Sequence, residues 1–251
     1  LDEAVQRNGK NRLIVKVWSP WDDEVAANRQ ERRTFLIYRN MVKGTYEHSD
    51  TFIQRDVNPV GIYGSVSLKI QKGAGFAENP EFSYQLDDTL ENASLHLKVK
   101  IKNLETASLK WSITDCFTGA VVFLKNEDLV GTQSCNDPEP TVASLDGILS
   151  HVRLWNTWDK GTPFVYRVKV ALCAKDGSVM ESYEETTGFR KIEMHRTPEM
   201  TKFILNGKDF YMRGTAYFPD AYVSAMNEER YRRDLLQIKN SGFNMPVSYT
   251  H

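Results

Sequence analysis

The sequence predicts a mostly β protein in which two antiparallel β-sandwiches precede the first strand–helix–strand unit of a parallel α/β domain. Apolar and polar residues alternate with a period of two as far as Glu193, as in sheets that have one solvent-exposed face. After Thr201 this alternation gives way to one helical pattern between short apolar runs. A composition of 41% hydrophobic and 26% charged residues is that of a globular protein.

The alternation is clearest in three stretches, residues 12–18, 94–102 and 164–172. The side chains predicted to face a core in the second and third stretches are Leu95, Leu97, Val99 and Ile101, and Phe164, Tyr166, Val168, Val170 and Leu172. Such a period belongs to the antiparallel sheets of a sandwich. Asp176-Gly177 predicts a hairpin turn, because glycine tolerates a positive φ.

Two sandwiches are predicted rather than one, because a loop at residues 72–75 separates two series of strands. The first series ends at Ile70, and the second starts near Phe82. Residues 132–140 are predicted to form a long loop inside the second sandwich, since strands resume beyond them with the same rhythm.

A helix is predicted to begin at about Glu228 and to end at Gly242, where a left-handed residue is favoured. Asn227 is the expected N-cap, because its side chain can accept a hydrogen bond from a backbone N–H. The apolar stripe of this helix is predicted to contain Tyr231, Leu235, Leu236 and Ile238.

Short strands are predicted on both sides of this helix. An Asn206-Gly207 turn joins two apolar runs, a strand begins near Arg213, and residues 242–245 open another. Strand, helix and strand in this order form a parallel unit, which needs a larger sheet to bury both of its faces. We therefore expect the apolar stripe of the helix to leave an exposed patch.

Charge and cysteine spacing exclude several function classes. The net charge of −1 gives no electrostatic basis for binding nucleic acid or a membrane surface. No apolar run reaches the roughly 18 residues that a transmembrane helix needs. Cys116, Cys135 and Cys173 are odd in number and lack metal-ligand spacing, so neither a disulfide framework nor a metal site is expected.

Several short segments, taken in order, resemble glycoside hydrolase family 2, which contains β-galactosidases, β-glucuronidases and β-mannosidases. The segments are residues 43–46, 55–63, 154–155, 161–166, 188–192, 203–214 and 231–244. The resemblance implies part of a sugar-binding-like jelly-roll sandwich in residues 1–75, an immunoglobulin-like sandwich in residues 76–195 and the start of a truncated (β/α)8 barrel in residues 196–251. Residues 214–220 look closest to the β-mannosidase side of the family.

The resemblance also implies a retaining exo-glycosidase that hydrolyses O-glycosyl bonds in a carbohydrate substrate. One glutamate protonates the leaving oxygen, and a second attacks the anomeric carbon. In the family these residues lie on the fourth and seventh barrel strands, which are expected beyond residue 251. The chain is therefore expected to contain no catalytic residue and to be inactive alone, and no cofactor is implied.

Two residues are candidates for binding substrate. Asp220 would follow the first barrel strand on the face where barrel active sites form, although an ordinary loop aspartate after Pro219 explains it as well. Trp158 is flanked by polar residues and could stack on a sugar ring. The alternative function is therefore a non-catalytic carbohydrate-binding or adhesion module built from sandwiches.

Two acidic pairs and the last six residues have other interpretations. Glu228-Glu229 suits the positive end of a helix, and Asp87-Asp88 suits a turn. Pro246 would remove a hydrogen-bond donor from a central barrel strand, and residues 247–251 resemble a translated sequencing adapter. We hypothesise that residues 246–251 are not native.

Overall fold

The computed structural model describes residues 5–6, 8–17, 62, 64–67, 69, 73–131, 139–217, 219 and 226–247. The chain divides into two compact units, Leu68–Met212 and a second unit drawn from Leu1–Ser67 and Arg213–His251. The first unit is built from strands, and the described part of the second contains one helix between two short strands. That helix is neither long nor apolar enough to cross a membrane.

The first unit is a sandwich of two antiparallel sheets. The strands of one sheet are β1 (Gly75–Phe76), β2 (Glu81–Leu86), β3 (Asn92–Lys102) and β6 (Thr141–Ser150), and those of the other are β4 (Thr106–Asp115), β5 (Val121–Val130), β7 (Tyr166–Cys173) and β8 (Val179–Thr187). Strand β3 is central, with β6 along one edge and β1 and β2 in succession along the other. The other sheet has the order β5-β4-β7-β8.

Alternate residues of the central strands form the core between the sheets. The predicted inward residues of residues 94–102 are all buried, and so are Tyr166, Val168, Val170 and Leu172 of β7. At the centre, Trp111 of β4 makes edge-to-face contacts with Phe82 and Phe123, at centroid distances of 6.1 and 4.8 Å. Gly147 makes room for Phe123, because a Cβ there would lie 2.5 Å from the ring.

The predicted turns of the sandwich are confirmed. Gly177 has a φ of 82°, and Asp176 accepts hydrogen bonds from the backbone and hydroxyl of Ser178. The predicted long loop joins β5 and β6 within the same unit, and its residues 132–138 lie outside the described residues.

A three-stranded antiparallel meander follows the sandwich within the first unit. Its strands are β9 (Ile192–Arg196), β10 (Thr201–Leu205) and β11 (Lys208–Phe210). The predicted two-residue turn between β10 and β11 is confirmed, with φ of 51° at Asn206 and 74° at Gly207. Two positive φ values define the type I′ turn that matches the twist of a hairpin.

The predicted parallel unit is also confirmed. Strand β12 (Gly214–Ala216), helix α1 (Glu228–Asn240) and strand β13 (Met245–Val247) follow one another, and the two strands pair in parallel. Asn227 caps the helix by accepting a hydrogen bond from the backbone N–H of Arg230 at 2.9 Å. Gly242, with a φ of 86°, ends it.

Helix α1 contains no buried residue. Tyr231 and Ile238 are half-buried, whereas Leu235 and Leu236 are 43% and 45% exposed. Asp234, rather than Leu235, lies on the side of the helix that faces Tyr217 of the strand segment. The expected exposure is thus present at Leu235 and Leu236, whereas Tyr231 and Ile238 are partly covered.

Pro246 lies inside β13, opposite Thr215. The carbonyl of Val247 accepts a hydrogen bond from the backbone N–H of Tyr217 at 2.7 Å, so the backbone of Val247 faces β12. Because bonding directions alternate along a strand, the nitrogen of Pro246 faces away from β12, where its missing N–H breaks no bond. The proline is therefore compatible with the pairing to β12. The expectation for a central strand, which has a neighbour on each side, stays a prediction. The hypothesis about the origin of residues 246–251 stays a prediction.

The predicted strand at residues 12–18 is wrong over residues 12–17, which form no strand and are exposed. Leu13 and Val15 are 71% and 58% exposed, because no described strand pairs with this segment. The other segments assigned to the first sandwich, residues 43–46 and most of residues 55–63, lie outside the described residues.

Asp87 is predicted to stabilise the β2–β3 turn in a pH-dependent way. Its carboxylate accepts hydrogen bonds from the side chains of Asn92 and Thr89 and from the backbone of Glu91, which lower its pKa from 3.8 to about 2. Because the folded pKa is depressed, this stabilisation is present above pH 3.8 and is lost as the pH falls towards 2.

The test compares urea unfolding of the parent chain and Asp87→Asn at several pH values. We expect the parent to be more stable at about pH 5 and the difference to shrink towards about pH 2. Asp88→Asn is the control, because Asp88 is the exposed neighbouring acid. A difference that stays constant with pH would contradict the assignment.

Candidate functional site

The candidate site begins with the loop between β6 and β7, which is closed at its base. Trp155 and Pro163 form an isolated antiparallel bridge, and the backbone N–H of Asn156 donates to the carbonyl of Thr162 at 3.2 Å. The carbonyl of Thr157 accepts from the N–H of Lys160 at 2.9 Å, which closes the tip. The loop is therefore held by its own backbone hydrogen bonds.

Trp155 packs against the segment that leaves the sandwich. Its backbone N–H donates to the carbonyl of Phe189 at 2.8 Å, and the guanidinium of Arg190 lies 5.0 Å from the centroid of its ring. A Cβ at Gly188 would lie 2.7 Å from the Cβ of Trp155, so only glycine fits beside it. The tryptophan thus holds the segment that leaves the sandwich.

The same exit segment is also held by Tyr84. Its hydroxyl donates to the carbonyl of Gly188 at 2.9 Å and accepts from the backbone N–H of Arg190 at 3.0 Å. Between these residues, Phe189 is fully buried and makes edge-to-face contacts with Tyr84 and Tyr166. The path of the chain after β8 is thereby fixed.

Asn206 connects the meander to this loop. Its Oδ1 accepts from the backbone N–H of Lys191 at 2.9 Å, and its Nδ2 donates to the carbonyl of Trp155 at 2.9 Å and to Oδ1 of Asn156 at 3.1 Å. The residue is 9% exposed. Asn206 therefore joins three segments that are distant in sequence.

Trp158 lies at the tip of the loop, where its side chain is 41% exposed. An exposed indole on a loop that is closed at its base can stack on the apolar face of a sugar. Its role in substrate binding stays a prediction. Trp18 and Trp21, the other tryptophans near a predicted strand end, lie outside the described residues.

A second polar cluster lies between the end of β12 and helix α1. The hydroxyl of Tyr217 donates to Oδ2 of Asp234 at 3.1 Å, and Nε of Arg230 donates to the same oxygen at 3.2 Å. Burial and the bond to Asp234 raise the pKa of Tyr217 to about 12, so the phenol keeps its proton near neutrality. Burial opposes ionisation of Asp234, but hydrogen bonds from Arg233, Tyr217 and Arg230 hold its pKa below the usual value.

This cluster lies beside the end of β12 at which the sequence places Asp220. Asp220 itself lies outside the described residues, so its predicted role stays a prediction. The two acidic pairs are where the sequence analysis expects them, with Glu228 and Glu229 in the first helical turn. Over the described residues, no group of three or more histidine, cysteine or acidic side chains could hold a metal ion.

Two features of the site were not predicted from the sequence. The Asn-Gly pair indicates a hairpin but not the three long-range hydrogen bonds of Asn206. The hydrogen bonds of Asp234 are the second feature. Its position within the apolar stripe indicated them, because a charged residue on an inward helical face needs a partner.

Comparison with known proteins identifies the sandwich. The family model described as "Glycosyl hydrolases family 2" matches residues 76–190, which extend from β1 to the exit segment. This part of the chain is therefore a glycosyl hydrolases family 2 domain.

The curated relatives in sequence are β-galactosidases. The protein from Photobacterium profundum is 35% identical over 201 residues, which cover 73% of this chain and 17% of that protein. The protein from Oenococcus oeni is 24% identical over 246 residues, which cover 95% of this chain and 20% of that protein. The chain spans a fifth or less of the length of these relatives.

Solved structures share the fold. A β-D-mannosidase from Dictyoglomus thermophilum superposes with a TM-score of 0.61 at 19% identity, over 71% of this chain and 22% of that one. A β-glucuronidase from Parabacteroides merdae gives a TM-score of 0.54 at 25% identity, over 69% of this chain and 21% of that one.

Replacing Asn206 by glycine is predicted to destabilise the first unit. Glycine keeps the positive φ of the turn, so the variant removes only the side-chain hydrogen bonds. We expect a loss of about 1–3 kcal/mol in the free energy of unfolding, measured with urea.

Asn103→Gly is the matched control, because Asn103 has a φ of 53°, is exposed and makes one long side-chain hydrogen bond, to the carbonyl of Gly73 at 3.4 Å, in place of the three of Asn206. Subtracting its effect cancels the contribution of glycine to the unfolded chain. Equal effects of the two substitutions would show that the bonds of Asn206 add no stability.

Proposed function

We propose that this chain is part of a retaining exo-glycosidase that hydrolyses O-glycosyl bonds in carbohydrates. In this proposal the family 2 domain is an immunoglobulin-like sandwich, and the strand–helix–strand unit begins a (β/α)8 catalytic barrel. Residues 1–75 belong to a jelly-roll sandwich. The two reacting glutamates lie on later barrel strands outside these 251 residues, so the chain alone does not turn over substrate.

The observation that carries the proposal is the parallel pairing of β12 and β13 after a family 2 domain. A sandwich that only binds sugar has no use for a parallel crossover, whereas a (β/α)8 barrel is built from such units. The exposure of Leu235 and Leu236 supports the proposal, because further strands and helices would cover them.

Barrel architecture also supports roles for residues at the end of β12. Active sites of (β/α)8 barrels lie at the carboxyl ends of the strands. Asp220 follows that end of β12 and is proposed to contact substrate. Tyr217, Asp234 and Arg230 are proposed to fix the start of this loop through their hydrogen bonds.

The sugar is proposed to be a β-linked mannoside or galactoside. Residues 214–220 resemble the β-mannosidase side, and curated sequence relatives are β-galactosidases. Aryl β-mannosides and β-galactosides are therefore the first substrates to test, and an aryl β-glucuronide is tested beside them because a β-glucuronidase shares the fold.

Turnover of these aryl glycosides tests the proposal. The purified 251-residue chain is expected to release no phenol above the blank, whereas a chain continued through the barrel is expected to hydrolyse one substrate of the set. Glu→Gln substitution at either proposed glutamate of that longer chain should lower kcat by roughly 10³-fold. Hydrolysis by the purified 251-residue chain that remains after contaminating glycosidases are excluded would refute the proposal.

A carbohydrate-binding or adhesion module is the second candidate, and the exposed indole of Trp158 favours it. In that case the full chain binds immobilised glycans, and Trp158→Ala weakens binding by about tenfold or more, as expected for the loss of a stacking contact. Tyr211→Ala is the control, because Tyr211 is an exposed aromatic residue outside the loop. Glycan binding that Trp158→Ala leaves unchanged would contradict this candidate.

A further inference from the structure

Strand β5 presents a long edge with exposed apolar side chains. Over the described residues it pairs only with β4, and its residues Val122, Leu124 and Val130 are 40%, 57% and 75% exposed. A long edge strand of this kind is a template for pairing with another strand. The backbone and side chains of β5 restrict which strand can pair with this edge.

The direction of the backbone groups restricts the possible pairings. The N–H of Gly131 donates to the carbonyl of Glu105 at 2.9 Å, so Gly131 bonds towards the β4 side. Bonding directions alternate along a strand. The odd-numbered residues from Phe123 therefore bond to β4, and the even-numbered residues, Leu124 to Val130, direct their backbone groups to the open edge.

The charges on β5 select one self-pairing register. Two antiparallel copies of β5 can be related by a two-fold axis at any residue near its centre. An axis at Lys125, Glu127 or Asp128 places like charges opposite each other, and an axis at Leu124 places Lys125 opposite Phe123. An axis at Asn126 places Lys125 opposite Glu127 of the second copy and Glu127 opposite its Lys125.

The same register also brings apolar residues of the two copies together. It places Phe123 opposite Leu129 of the second copy and Val122 opposite its Val130, while Leu124 lies opposite its Asp128. Phe123 and Leu129 already pack on the edge of the core, so pairing would extend that core across the axis. Lys125 and Glu127 fall in the non-hydrogen-bonded positions, where side chains of opposite strands are closest.

We propose that two copies of this chain associate through antiparallel pairing of their β5 strands about Asn126. The pairing joins the β5-β4-β7-β8 sheets of the two copies into one continuous sheet. Each interface contains two Lys125–Glu127 pairs and a row of backbone hydrogen bonds from the even-numbered residues. This proposal is independent of the enzymatic one.

The other open edges of the sandwich do not fit a second copy as well. Strand β8 carries Glu181, Glu184 and Glu185 and no basic residue, so its self-pairing brings acidic side chains together. Strand β6 is partly covered, because Nζ of Lys125 donates to the carbonyl of Asp146 at 2.8 Å. An ammonium has three donors, so Lys125 can keep this bond and still meet Glu127 of a second copy.

The charges also explain why the edge need not bind strands in general. Charged side chains on an edge oppose the addition of strands that leave them unpaired. A second β5 in this register pairs each Lys125 with a Glu127, whereas a foreign apolar strand does not. The strand therefore favours its own copy over an unrelated partner.

A charge-swap cycle on the full chain tests the proposal by analytical ultracentrifugation. The parent chain is expected to show a concentration-dependent monomer–dimer equilibrium. Lys125→Glu and Glu127→Lys each place two like-charged pairs across the axis and should weaken the dimer by about tenfold or more. The double variant restores opposite charges and should return the dissociation constant to within about threefold of the parent value.

Glu184→Lys on β8 is the matched control, because it changes the net charge as Glu127→Lys does but lies on the far edge of the same sheet. It should leave the dimer unchanged. A parent chain that stays monomeric at about 100 μM would overturn the proposal. So would a dimer that Glu127→Lys leaves intact, or one that the double variant fails to restore while circular dichroism shows a folded chain.

Discussion

The period-two alternation of buried and exposed side chains is the constraint on which the first unit depends. Leu95, Leu97 and Val99 of β3 face the core, while the residues between them face water. A shift of one residue in any pairing would turn this set outward. The same alternation directs the backbone groups of β5, so the core and the open edge are fixed by one pattern.

Pattern and local chemistry were enough to predict most of the regular structure. The strands around residues 94–102 and 164–172, the turn at Asn206-Gly207 and the helix capped by Asn227 follow from side-chain period, glycine conformation and capping. These signals act within a few residues. The predicted strand at residues 12–18 failed because alternation shows that a segment could pair, not that a partner lies beside it.

The candidate site was harder to predict, because its contacts join residues that are distant in sequence. Trp155 lies in a segment that resembles the family, but its contact with Gly188 and Asn206 depends on how the loop, the exit segment and the hairpin converge. Asp234 illustrates the same limit, since its partner Tyr217 lies on another element. A single sequence gives no direct signal for such pairs.

The closed base of the loop between β6 and β7 separates two tasks. The bridge between Trp155 and Pro163 and the bonds to Phe189 and Asn206 maintain the fold, and Trp158 lies beyond them at the tip. These bonds are made by the backbone and by other side chains, so a change of the exposed indole at position 158 leaves each of them in place. Thr157, the neighbouring residue, is 7% exposed and is tied to the framework instead. Within this loop, variation is thus tolerated residue by residue rather than over the whole tip.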